Sequence, residues 1–343
     1  MRFGPVPLAQ AKGAILAHSV LTDGTRLRKG RVLDDADLRL LAAAGVAQVT
    51  VARLDPGDVV EDAAATRLAT ALVPDPAGQG LSASVAFTGR VNLNATGPGI
   101  VDLDSGAIHA LNRIDPSITL ATLAANTRVT KGTLVGTVKI ISYAVAGEAL
   151  AQAESVARAA LRVLPVKLAD AGLILTEVPG QDAKLSAKGR RAIEARLRAL
   201  GMRLSAVVVT DHDSAAIAAA LPGLPGDLVL ILTGSATSDL HDTAPEGVRA
   251  AGGQVARFGM PVDPGNLLFH GQLGHRPVIG LPGCARSPAL NGADWVLERY
   301  ACGLAVSDED IAGMGLGGLL KEIPVRPQLR EPKGQGAPPA EQD

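Results

Sequence analysis

"DLVLILTGSATSDLHD", residues 227–242, sets five aliphatic side chains in a row at 228–232 and then stops on threonine, glycine and serine. A strand with one wet face alternates apolar and polar residues, and this one does not. Such a run predicts a strand buried on both faces, as in the middle of a parallel sheet covered by helices. The neighbouring segments agree. AGLILTEVP (171–179) and RLSAVVVTD (203–211) read as strands, followed further on by QVARFGMPV (254–262) and PVIGLPG (277–283). Between them lie helical runs: 186–201, with Ser186 as the expected cap and Gly201 as stop, then 214–223 and 244–253, with ALNGADWVLERY (289–300) as the last. Alternating strands and helices of these lengths predict a three-layer α/β/α domain with a mostly parallel sheet over residues 167–305.

In such sheets ligands sit at the carboxyl ends of the strands, so the loops after each strand are the ones to examine. They are TEVPG (176–180), TDHDS (210–214), TGSATSDLHD (233–242), GMPVDPG (259–265) and LPGCARS (281–287). In the third, Gly234 allows close backbone approach, while Ser235, Thr237 and Ser238 offer hydroxyls. Amides at the start of a helix favour an anion such as a phosphate. The same residue types are ordinary helix caps. In the last loop Gly283 is expected at positive φ and Ser287 as cap of the final helix, with Arg286 free to present its fork of donors to a phosphate. Glu177, Asp211, Asp213, Asp239, Asp242 and Asp263 all fall on this edge. Each is either a cap or solvated, or part of a group that holds Mg²⁺ or a nitrogen-rich heterocycle.

The rest of the chain has a different texture. Residues 1–60 give a helical run at 7–20, then a helix capped by Asp34 or Asp35 and stopped by Gly45, then an alternating strand, VAQVTVARL (46–54). Residues 61–150 are β-rich, with strands expected in ASVAFTGRVNLNAT (83–96) and GTLVGTVKIISYAV (132–145), and a helical stretch at 148–164. The tail at 324–343 is Pro-rich and polar, a composition expected to be disordered.

Composition limits the partners. The 343 residues carry 33 basic and 34 acidic side chains, a net charge of −1, so no global field favours nucleic acid or an anionic membrane. Aromatics at 2% leave no stacking platform for single strands. Two cysteines, Cys284 and Cys302, are too few for a disulfide framework or a cysteine-rich zinc site. With no run of about 20 apolar residues and no secretory leader, the chain reads as cytoplasmic.

Three of the edge motifs together resemble the molybdopterin-binding family, which includes the molybdopterin molybdotransferases, the equivalent gephyrin domain and the molybdopterin adenylyltransferases. Gly234, Ser235, Thr237, Asp239 and Asp242 match that family's Gly-Gly-x-Ser-x-Gly-type loop and following acid. Pro264 and Gly265 match its Pro-Gly segment, and GLPGCARS (280–287) its Gly-Leu-Pro-Gly-Asn-Pro-x-Ser junction. The segments 7–20 and 27–59 resemble the opening of the molybdotransferases. The resemblance implies a homo-oligomer that binds molybdopterin or its nucleotide form and hands it to a nucleotidyltransferase partner, as in bacterial proteins that in some chains precede a nucleotidyltransferase-like domain, or alternatively an active molybdopterin molybdotransferase or adenylyltransferase. It implies ligand contacts from Thr176, Glu177, Asp211, Gly234, Ser235, Thr237, Ser238, Pro264, Gly265, Gly283, Cys284, Arg286 and Ser287. Asp239 and Asp242 would be the catalytic or Mg²⁺-binding pair if the protein inserts molybdate or, alternatively, cleaves a nucleotide. The sequence departs from the pattern where the family has lysines beside Pro-Gly, has Cys284 for the family's Asn, and keeps only Thr176 and Glu177 of a Thr-Gly-Asp-Glu turn. Those departures favour a carrier over an insertase.

Overall fold

The computed structural model describes residues 1–320 except Asp23 and Gln181; the tail expected at 324–343 lies outside the described residues. The chain divides into two compact units, the first Met1–Lys167 and the second starting at Leu168. Among the described residues no helix is long and apolar enough to cross a membrane.

The first unit holds two cores. In the smaller, the run at 7–20 is not the α-helix its composition suggests. Arg2–Pro7 is a strand antiparallel to Gln48–Arg53, Leu8–Gln10 is a single 3-10 turn, and Ile15–Leu16 pairs on the other side of Gln48–Arg53. Gly13, at φ +75°, interrupts the run, and pairing of both flanks with Gln48–Arg53 takes the segment instead. The helix Asp35–Ala43 forms as expected, with Asp34 as cap and Asp37 closing a capping box. Leu16, Leu33, Leu41, Val49 and Val51 meet in its core.

In the larger core, the helix Glu61–Leu72 lies on a four-stranded antiparallel sheet ordered Ile118–Thr122, Leu134–Ile140, Arg90–Ala95, Leu81–Ala83. Residues of Arg90–Ala95 alternate, so that Val91, Leu93 and Ala95 are buried. The helical stretch expected at 148–164 ends early, since the helix runs Gly147–Val156. Leu161–Pro165 is a strand paired with Gly99–Leu103, because Leu161 and Val163 are buried while Arg162 faces out. That period of two overrides the helix-forming alanines before it.

The second unit is the three-layer domain. Its elements are β1 (Asp170–Glu177), α1 (Ala183–Ala199), β2 (Arg203–Asp211), α2 (Ser214–Ala220), β3 (Leu228–Leu232), α3 (Thr243–Ala250), β4 (Gln254–Phe258), β5 (Phe269–Leu273), β6 (Arg276–Leu281), α4 (Gly292–Ala301) and α5 (Asp308–Gly313). The sheet order is β2-β1-β3-β6-β5-β4. Strands β2, β1, β3 and β6 are mutually parallel, and β5 runs antiparallel between β6 and β4. All five residues of β3 are buried, as its unbroken aliphatic run requires.

Strand β5 was not legible in the sequence: FHGQL has two polar side chains in five and no clean period. Its place is fixed by packing. The Phe269 ring lies directly over Gly280 on β6, where a Cβ would fall 1.8 Å from ring atom Cε1. Helix α1 begins four residues earlier than a cap at Ser186 implies, capped by Asp182, whose carboxylate accepts from the Lys184 N–H at 2.9 Å.

Candidate functional site

The carboxyl ends of β1, β2, β3 and β6 lie side by side, so their loops gather at one edge. Register places Thr176 beside Thr210 and Glu177 beside Asp211, while Leu232 at the end of β3 pairs with Leu281 of β6. The chain leaves β1 to β2 on one side and returns to β3 on the other, which makes the β1–β3 crevice the topological switch point.

In that crevice the side chains knit the loops to one another. The buried Thr176 hydroxyl accepts from the Gly234 N–H at 2.9 Å and lies 2.9 Å from His212 Nδ1. Glu177 accepts from the Ser186 hydroxyl at 2.7 Å, which is where that serine goes instead of capping α1. Thr237 is buried, while Ser235 and Ser238 are exposed. Asp211 is exposed at the end of β2 and Asp213 caps α2.

The two acids expected to do chemistry are both holding backbone. Asp242 accepts from the Ser238 N–H and from the Thr243 N–H, each at 2.7 Å, and caps α3. Partial burial pushes its carboxyl up, but the two N–H donors, helped by nearby His212, outweigh this and hold it below the usual range. Asp239 accepts from the His241 N–H at 2.8 Å. Among the described residues no group of three or more His, Cys, Asp or Glu is placed to hold a metal ion. Asp239 and Asp242 do not fit a Mg²⁺ centre as they stand, because Asp242 has both oxygens on amides.

The loop after β6 is built differently. Residues Gly283–Arg286 form a 3-10 turn, Gly283 is not at positive φ, and Ser287 does not cap α4. Asn291 is the cap, in a box with Asp294. Its side-chain amide also donates to Cys284 Sγ at 3.0 Å. What shapes the loop is a residue the sequence reading passed over. Arg196, buried on α1, donates to Asp294 at 2.6 Å and to the carbonyls of Ala285, Ser287 and Ala289 at 2.8–3.0 Å. A signal for it existed. Arg196 falls on the same stripe as Ala192, Ile193, Leu197 and Leu200, all buried, so a charged side chain there had to find partners inside.

This loop, α1 and the segment before Gly265 enclose a cavity of about 500 Å³. Of the expected contacts, Pro264, Gly283, Cys284, Arg286 and Ser287 line it; the other eight do not. Gly265 lies behind Pro264 at φ +145°, where a Cβ would fall 2.7 Å from the Gly292 N, so the Pro-Gly segment can dock against the start of α4. Lys188 of α1 lines the cavity as well, a cation the loop motifs alone did not reveal.

Arg286 is the link between the two halves of the edge. It is half-buried, and burial pulls its guanidinium below its ordinary value. One Nη donates to the Thr233 carbonyl at the end of β3 and the other reaches Gly283 O at 3.4 Å. Its Nε is buried with no partner, and among the described residues no carboxylate pairs with it. With Lys188 it puts two cations into a cavity lined by no acid. This arrangement fits an anionic oxygen.

Comparisons with known proteins stay at a distance. A family model described as a domain of unknown function (DUF8806) matches residues 5–53. No curated protein matches the chain. Among solved structures, the molybdopterin biosynthesis moea protein from Pyrococcus horikosii is 14% identical at a TM-score of 0.31, over 88% of this chain and 76% of that one. A molybdenum cofactor biosynthesis protein from Pyrococcus furiosus is 13% identical at a TM-score of 0.22, over 91% of this chain and 65% of that one. The chain has a distant structural resemblance to such proteins, and no family is assigned by it.

Proposed function

We propose that the second unit binds a pterin phosphate of the molybdopterin type at its carboxyl edge and carries it rather than transforms it. The observation that supports this reading is Arg286: a half-buried guanidinium with no carboxylate, an unpaired Nε, and a second cation beside it in the same cavity. A phosphate would take the guanidinium's free donor and satisfy the charge. The exposed hydroxyls of Ser235 and Ser238 lie on the adjoining loop of the same edge. The carrier reading rests on the acids: Asp242 has both oxygens on amides and Asp239 one, and no third ligating residue joins them among the described residues to complete a metal centre.

The test is a titration of molybdopterin followed through Trp295, the one tryptophan of the chain, which sits on α4 just after the Asn291 cap. Saturable binding that weakens in Arg286→Ala, and that a pterin lacking the phosphate does not reproduce, supports the reading. Equal affinity with and without the phosphate would sink it.

A further inference from the structure

At the other end of the same sheet, the amino ends of β1, β3 and β6 and the β5–β6 turn border a second cavity, of about 570 Å³. Its walls include Leu168, Val255, Pro277 and Leu304, and its polar residues include Asp227, Gln254, His275 and the pair His270–Tyr300; no lysine or arginine lines it. None of these residues belongs to the carboxyl-edge motifs.

His270 is the group that needs explaining. It is 1% exposed on β5, in a position where a leucine would pack. Its Nδ1 lies 2.8 Å from the Tyr300 hydroxyl, the two ring centres 6.2 Å apart and tilted by 50°. Its Nε2 is buried with no partner. Burial pushes the Tyr300 hydroxyl up to about 12 and the His270 imidazole below its ordinary value, with smaller opposing influences on the imidazole from Asp308 and Arg257. Both rings are therefore neutral near pH 7. Which ring nitrogen carries the hydrogen depends on the tautomer: if the Tyr300 hydroxyl donates to Nδ1, Nε2 is an unused donor, and if Nδ1 donates to the hydroxyl, Nε2 is an unused acceptor; in both cases Nε2 has no partner among the described residues. A buried ring nitrogen with no partner is uncommon in folded proteins and points to a group that the protein itself does not supply.

The lining says what that group can be. With no cation and with Asp227 present, a phosphate or carboxylate gains nothing there and meets a like charge. Aliphatic walls favour a flat uncharged body, and the volume is in the range of small-molecule sites. The unpaired ring nitrogen asks for a hydrogen-bonding partner, which the ring nitrogens, carbonyls and amino groups of a heterocycle supply. We propose that this cavity is a second ligand site, taking an uncharged nitrogen heterocycle of nucleobase size recognised by the His270–Tyr300 pair. The inference does not depend on the pterin reading of the other edge.

Adenosine is a suitable probe and adenosine monophosphate its charged counterpart. With the protein labelled at histidine ring nitrogens, adenosine should shift the Nε2 resonance that is missing from His270→Phe, saturably, at pH 7.5. Tyr300→Phe should weaken this binding at least tenfold, and the monophosphate should bind there no more tightly than adenosine. Thermal melting checks that both variants fold; if His270→Phe does not, the Tyr300→Phe titration carries the decision. No shift at His270 up to the solubility of adenosine overturns the proposal, as does unchanged affinity in Tyr300→Phe. Loss of the His270 shift in Arg286→Ala would place adenosine at the carboxyl edge and overturn it equally.

Discussion

The two cavities of the second unit occupy opposite ends of one sheet and carry opposite complements of charge. At the carboxyl ends, Lys188 and Arg286 line a space with no acid; at the amino ends, Asp227 and two histidines line a space with no lysine or arginine. The difference follows from how each end is built. The carboxyl edge is made of strand-to-helix loops; Arg196 braces the one after β6 from within, which leaves Arg286 and Lys188 to face the cavity as its cations. The amino end is made of strand starts packed against the end of α4, so its polar groups are side chains embedded among aliphatic ones. A single fold thus offers two chemically separate environments, each of which can be broken without touching the other.

Replacing Arg196 should have the largest effect, and only at the carboxyl edge. Arg196→Met leaves Asp294 buried without its cation and three carbonyls without donors, a loss of about 3–5 kcal/mol of unfolding free energy. Urea denaturation measures it, and a variant as stable as the wild type would show that Arg196 does not frame the loop. Arg286→Ala comes next. It should cost about 1–3 kcal/mol of pterin-phosphate affinity, the value of a lost charge-assisted bond, and about 1 kcal/mol of stability, because the Thr233 carbonyl loses its donor while no carboxylate is stranded. Calorimetric titration and thermal melting read the two quantities separately.

A smaller, pH-dependent effect belongs to the amino end. His270 titrates lower in the folded protein than its ordinary 6.5 because burial disfavours the imidazolium. Its contribution is complete above about pH 6.5 and is lost as pH falls, by no more than ~1.4 kcal/mol per pH unit for one proton. His270→Leu should flatten that acid limb, measured as unfolding free energy between pH 7 and pH 4.5. The smallest effect is Asp242→Asn. Asn keeps one acceptor for the α3 cap but turns an NH₂ toward the other N–H, so stability should fall by about 1 kcal/mol, and pterin binding should stay within a few-fold. A collapse of binding in that variant would instead make the Asp242 charge part of the ligand site.

How much of this was legible depends on whether a local pattern carried the information. The parallel strands were, because an unbroken aliphatic run such as Leu228–Leu232 has one comfortable environment. The convergence of their loops followed from chain direction alone. Strand β5 was not, since His270 and Gln272 give it no period and only Phe269 over Gly280 secures it. The stretch at 7–20 misled because alanine and leucine suggest a helix while Gly13 and pairing to Gln48–Arg53 decide otherwise. Within the site, residue types were easier to foresee than duties. Arg286 stands where an anion-binding arginine was expected, but Asp239, Asp242 and Ser186 turned out to be tying loops together. Lys188 and Arg196 were missed because both reach the edge from α1, a helix that loop motifs do not include.

The antiparallel placement of β5 also bears on the order in which the sheet can assemble. β5 and β6 are joined by two residues, Gly274 and His275, with Leu273 paired to Arg276, so this ladder closes a very short loop. β1, β2 and β3 meet only after whole helices intervene, and closing such long loops costs more chain entropy before any contact rewards it. The hairpin is therefore suited to form early, with Phe269 already seated on Gly280, and to offer β3 an edge on which to add. Pulse-labelling of amides during refolding should find Phe269–Leu281 protected before Asp170–Asp211.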